Sequence, residues 1–263
     1  MSTGVFAQHG GAARDSVALT GNPASVQKVT NAVRPKPPKP AKTECSLGLR
    51  LNSNGWSLFT DYGSSKPIDE KHAERFFNLH FFQFEVTEKK DPREVKTSTG
   101  SSSGGGTGSY IYGKINNLYV VKLGYGLRTM IAGKPDEQGV VSIHWINAGG
   151  AAIGLLKPYY VNIGGSSTPV KYAEATGTSF LDPQQISGGA GFSTGLGEIV
   201  VVPGVHYKTG FHFDFAGSLK TVIAIETGAN VEYYFQSVTL MAAKPPTNLF
   251  ADVYLSFQFG KRW

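Results

Sequence analysis

The chain has 263 residues, 17% of them charged and 12% aromatic, with 33 glycines and a net charge of +6. An average soluble domain is about 25% charged, so the low charge, many Tyr and Phe residues and frequent glycines point to β-strands and sharp turns. The basic balance does not indicate nucleic acid, because the lysines are dispersed and no zinc-finger spacing, RNP motif or basic helix is present.

Residues Val5-Phe6-Ala7 before Gln8 have the small-residue form of a signal-peptide cleavage site. Residues 1–7 are therefore expected to be the tail of a secretory signal. Residues 8–44 contain Arg34-Pro-Lys-Pro-Pro-Lys-Pro40, a polyproline-type stretch that cannot join a sheet. They are expected to form a periplasmic linker. Cys45 is the one cysteine, which excludes a disulfide framework, and no apolar stretch precedes it as in a lipoprotein.

From residue 45 to 263 the pattern changes to period two. Leu47, Leu49 and Leu51 alternate with Gly48, Arg50 and Asn52, and Asn54-Gly55 predicts a hairpin into Trp56–Tyr62. Phe76 to Thr87 predicts a strand with a bulge at Phe81-Phe82. Further strands are expected over 110–115, 118–127, 139–147 and 151–163, separated by turns at Asn116-Asn117 and Ala148-Gly149-Gly150. The clearest alternation follows: Val205, Tyr207, Thr209, Phe211, Phe213 and Phe215 against His206, Lys208, His212 and Asp214. Ile223 to Phe235 alternates with Glu226 and Glu232 on its second face, and Val253 to Phe259 closes the chain.

This makes about ten strands, in an all-β, antiparallel, up-and-down transmembrane β-barrel. No stretch approaches the roughly 20 apolar residues of a membrane helix. A membrane reading therefore requires a closed barrel, in which all backbone polar groups are paired. Numbered from the periplasm, the even connections (64–75, 116–117, 148–150, 217–218) are mostly tight. The odd ones (54–55, 89–108, 133–138, 164–197, 236–248) are mostly long. This segregation is the habit of outer-membrane barrels. Phe259-Gly-Lys-Arg-Trp263 ends on an aromatic, in the manner of the signal read by the outer-membrane insertion machinery.

The segments Tyr110-Ile-Tyr-Gly-Lys-Ile-Asn-Asn-Leu-Tyr-Val-Val-Lys-Leu-Gly-Tyr-Gly126, Gly149-Gly-Ala-Ala-Ile-Gly-Leu-Leu-Lys-Pro-Tyr-Tyr160 and Lys244-Pro-Pro-Thr-Asn-Leu-Phe250 resemble a family of uncharacterised outer-membrane β-barrel proteins from Bacteroidota. The resemblance runs from about residue 76 to the end and implies a location, not an activity.

A barrel of this size is filled by its own side chains. The expected polar lumen comprises Arg50, Asp61, Lys122, Arg128, Ser142, His144, His206, Lys208, His212, Asp214, Glu226 and Glu232. Trp56, Tyr62, Trp145, Tyr159, Tyr233 and Trp263 are candidates for interfacial aromatic girdles. No catalytic set and no cofactor site is expected. Gly191-Phe-Ser-Thr-Gly195 fits a nucleophile elbow by letter but lacks its strand–turn–helix context. His206 and His212 have no third ligand at diagnostic spacing. The expected partners are outer-membrane lipid, the insertion machinery and an envelope protein. The expected role is structural or accessory in a Gram-negative outer membrane. The alternatives are a narrow channel, a lipid-active hydrolase, and a soluble lipocalin-like barrel with the phenylalanines in its core.

Overall fold

The computed structural model describes residues 41–68, 77–98, 108–133, 141–163, 169–172, 181–216 and 220–263. The segments 1–7 and 8–40 lie outside the described residues, and so does the expected Gly217-Ser218 turn.

Thirteen strands are present among the described residues: β1 (Thr43–Asn52), β2 (Gly55–Pro67), β3 (Phe77–Lys89), β4 (Lys96–Ser98), β5 (Ser109–Ile111), β6 (Asn116–Ala132), β7 (Ser142–Pro158), β8 (Tyr160–Ile163), β9 (Pro169–Lys171), β10 (Ile186–Gly189), β11 (Val200–Asp214), β12 (Thr221–Val238) and β13 (Thr247–Arg262). Eight of them close a ring in the order β1-β13-β12-β11-β7-β6-β3-β2, with every pairing antiparallel. The short strands pair apart from it, β4 with β5 and β8 with β9 and β10.

The register fixes the shape. From Trp145 the paired residues run through Phe211, Thr227, Leu255, Leu51, Trp56, Glu88 and Tyr119. They return to β7 at Leu155, ten residues along from the start. With strand spacings of 3.3 and 4.8 Å, that stagger over eight strands sets a tilt of roughly 40°. One end of the ring carries Thr43, Arg262 and the connections 68–76, 133–141 and 215–220; we call it the terminal end. The other, the loop end, carries 53–54, 90–115, 159–199 and 239–246.

The ring has eight strands where the sequence suggested about ten, and two misreadings account for the difference. The stretches 139–147 and 151–163 are largely one strand, β7, and Ala148-Gly149-Gly150 lies in its middle. Gly150 is there for close approach, since a Cβ on it would stand 2.0 Å from the Leu123 carbonyl oxygen of β6. The 110–115 stretch leaves the wall and pairs with β4 instead, so Asn116-Asn117 opens β6 rather than making a turn. The 133–138 connection consequently falls at the terminal end. The two longest connections, 90–115 and 159–199, are both at the loop end. The barrel also begins earlier than Cys45, because Glu44 already pairs with Arg262.

No bulge interrupts β3. Phe81 points in, fully buried, and Phe82 points out, with an unbroken register to both neighbours. Outward positions are apolar or uncharged along the wall: Leu47, Leu49 and Leu51 on β1, Phe82, Phe84 and Val86 on β3, and the odd-numbered residues from Val205 to Phe213 and from Val253 to Phe259. Charges on the outward parity appear only at the ends, such as Glu88 and Lys261.

Candidate functional site: an ion-paired lumen

The inward face is built from the alternate residues. Seven buried or part-buried carboxylates (Glu44, Asp61, Glu85, Asp214, Glu226, Glu232, Asp252) meet six cations (Arg50, Lys89, Lys122, Arg128, Lys208, Arg262) among the described residues. The near balance of sign lets each buried charge keep a partner, without which burial would be prohibitive.

The contacts run the length of the ring. Toward the terminal end Arg262 bridges Glu44 at 2.8 Å and Asp214 at 2.6 Å. Arg128 pairs with Glu44 and Asp61, and Gln258 and Gln83 donate to the Asp61 carboxylate at 2.8 and 2.6 Å. In the middle Arg50 pairs with Glu85 and reaches Glu226 at 3.4 Å, while Lys208 donates to Glu226 at 3.0 Å. Lys122 joins Glu85 at 2.8 Å to Glu232 at 2.7 Å, and Lys89 continues to Glu232 at 3.2 Å and Asp252 at 2.7 Å.

Aromatic rings carry the cations. The Arg50 guanidinium lies over Phe59 at 4.4 Å and Tyr254 at 4.5 Å, and that of Arg128 over Phe81 at 4.8 Å. Such stacking is worth up to about 2 kcal/mol when desolvated. Glycines opposite make the room: a Cβ on Gly48 would meet the Phe59 ring at 2.3 Å, and one on Gly126 the Phe81 ring at 2.5 Å.

At the loop end the polar ladder gives way to an apolar plug of Leu118, Val120, Leu156, Val202, Tyr234 and Val238, with Leu240 and Met241 of the 239–246 connection packed against it. The Ile115 amide donates to the Leu240 carbonyl at 2.8 Å. Outside the wall, burial pushes the Asp91 carboxyl up, but hydrogen bonds from Lys244 and the Arg93 amide outweigh it and hold the group below its ordinary range.

All twelve residues named as polar lumen are buried on the inward face. His206, Lys208, His212 and Asp214 share β11, and Glu226 and Glu232 share β12. His144 and His212 face each other edge to face, with centroids 5.9 Å apart, and neither nitrogen of His144 has a hydrogen-bond partner. Ser142 and His144 share the inward face of β7. Gly191 to Gly195 forms turns before a 3₁₀ segment, Leu196–Glu198. No metal-binding group of His, Cys, Asp and Glu occurs among the described residues.

The sequence list lacked Glu44, Glu85, Lys89, Asp252 and Arg262. Continuing the β13 alternation one rung either way reaches Asp252 and Arg262. Glu85 was hidden by the expected bulge, and Lys89 was assigned to a loop.

Trp145, Tyr62 and Trp263 are exposed toward the terminal end, and Trp56 and Tyr233 toward the loop end. Trp145 donates from Nε1 to Thr209 at 3.0 Å and Trp56 to Glu88 at 2.7 Å. Tyr159 is not a wall residue. It lies between β7 and β8, packs against Tyr110, Val161 and Ile186, and its hydroxyl accepts from the Ile111 amide at 3.0 Å. Pro158 ends the wall strand just before it. The core that the soluble alternative would build from the phenylalanines is not seen, because Phe211 and Phe215 are 47% and 43% exposed on the outward face.

No protein-family model matches the chain, and no curated protein is similar to it. Among solved structures it is similar to the N-terminal β-barrel domain of Pseudomonas aeruginosa OprF, at 7% identity and a TM-score of 0.37, covering 85% of this chain and 98% of that one. It is similar to Ail of Yersinia pestis, the attachment invasion locus protein, at 12% identity and a TM-score of 0.38, covering 85% and 99%. It is similar to Neisserial surface protein A at 10% identity and a TM-score of 0.37, covering 85% and 96%. The fold rests on the register of the ring itself.

Proposed function

We propose that the chain is an integral β-barrel of a Gram-negative outer membrane, with a structural or accessory role in an envelope complex. One observation carries this: the ring is apolar outside and ionic inside, the reverse of a water-soluble domain. A ring with every strand paired leaves no backbone group for lipid to desolvate. The outward residues of β12, from Ile223 to Phe235, include no charge over a length that exceeds the roughly 9–11 tilted residues of one crossing.

On this reading lipid surrounds the wall, and the strand ending Phe259-Gly-Lys-Arg-Trp263 is what the insertion machinery engages. The resemblance to Bacteroidota barrels is part of the same proposal. The ion-paired lumen and its apolar plug favour a structural role over a channel.

The test is fractionation of cells expressing the protein, followed by electrophoresis with and without boiling. Sedimentation with the outer membrane and a mobility shift on heating are expected. A soluble protein that does not shift would overturn the proposal.

A further inference from the structure

The loop end holds a second feature, outside the ring, that the lumen does not explain. The 90–115 and 239–246 connections are locked together. Lys114 and Met241 form an isolated antiparallel bridge, and the Ala242 amide donates to the Gly113 carbonyl at 2.8 Å. One ion pair, Lys244 to Asp91 at 2.8 Å, fastens the two connections to each other, and another, Lys114 to Glu94 at 2.7 Å, braces the 90–115 connection internally. The 159–199 connection joins them where Tyr112 donates its hydroxyl proton to the Leu181 carbonyl at 2.9 Å.

Between the three lies a pocket of about 350 Å³. That falls at the lower end of the roughly 300–1,000 Å³ typical of small-molecule sites. Its walls are apolar, from Val95, Tyr112, Leu181, Met241, Ala242 and Ala243. Its only charged lining residues are Arg93 and Lys244, both cations. The nearby carboxylates are engaged elsewhere: Asp91 accepts from Lys244 and Glu94 from Lys114. Arg93 is exposed, and its charge acts on Asp91 only at long range, with no carboxylate of the described residues at ion-pair distance. An apolar cleft with an exposed guanidinium at its rim is complementary to a molecule with an apolar body and a single anionic head, because Arg is suited to bidentate carboxylate recognition.

We propose that this pocket binds a small anionic amphiphile, a body of one or two rings or a short acyl chain bearing one carboxylate at Arg93. The proposal does not depend on where the barrel resides, since the lining comes from the connections alone.

The test is equilibrium dialysis of the full chain in lipid nanodiscs, with empty nanodiscs as the blank, against naphthoate and dodecanoate. A chain found to be soluble would be assayed in buffer in the same way. Saturable binding is expected. Arg93→Glu, at an exposed side chain, is expected to weaken it at least tenfold while leaving uptake of neutral naphthalenemethanol nearly unchanged. Ala243→Trp, which fills the cleft, is expected to abolish both. Preference for naphthoate would mark a ring-bearing acid as the source, and preference for dodecanoate an acyl chain. Absence of saturable binding by either probe, or wild-type affinity in Arg93→Glu, would overturn the proposal.

Discussion

Arg50 illustrates what a buried charge does in this ring. Its guanidinium is held between Phe59 and Tyr254 and faces Glu85 and Glu226, all of them buried. The pairing offsets desolvation without adding much net stability, but deleting Arg50 leaves Glu85 with Lys122 and Glu226 with Lys208. Arg50→Met should therefore cost about 3 kcal/mol, the lower end of the range for breaking a buried pair, because each carboxylate loses one cation and keeps another. Urea unfolding of the protein in lipid vesicles measures this, and a loss below about 1 kcal/mol would mean the lumen is wetter than its packing implies. At this scale the sequence was informative where alternation was clean. His206 to Asp214 could be assigned to one face by parity alone. Phe81-Phe82 could not, because two adjacent phenylalanines look like a slip unless an inward glycine, here Gly126, makes room for one of them. Period-two arguments treat an inward aromatic as an error, whereas a glycine-floored slot makes it a structural part.

At the scale of the strand, the apolar stripe has a depth. Leu123 lies in the middle of β6 and is 58% exposed, whereas Phe213 is next to the last residue of β11. A charge on the lipid face costs about 2–4 kcal/mol at mid-membrane and about 0–1 near the interfaces. Leu123→Arg should therefore destabilise the protein in vesicles by about 2–4 kcal/mol, and Phe213→Arg by no more than about 1. Equal costs at the two positions would contradict the depth that the strand limits assign. The elements themselves were largely legible, since seven of the eight wall strands each overlap one expected strand and β7 overlaps two. Their ends were not. Gly149-Gly150 reads as a turn because glycine pairs usually make one, and only the neighbouring β6 backbone explains glycine in mid-strand. The 110–115 run has strand composition and forms a strand, but it pairs outside the wall, which local sequence does not encode.

For the whole molecule, the ladder of ion pairs runs along the interior of the ring and the Leu240–Met241 plug packs at its loop end. Planar-bilayer recording of the inserted protein should show no steady conductance above the protein-free membrane. Regular stepwise openings would mean that the plug moves. The order of the ring has a consequence for how the chain acquires its shape. All rungs but one join strands that follow each other around the wall, so they can form by zipping from neighbour to neighbour. The exception is the seam, where β1 meets β13 and Glu44 pairs with Arg262 across nearly the whole chain. Nothing local helps that contact, and its loop-closure entropy falls due in one step. The seam is thus where assembly has its kinetic bottleneck, and until it shuts, the outermost strands each present an open hydrogen-bonding edge to whatever else is nearby.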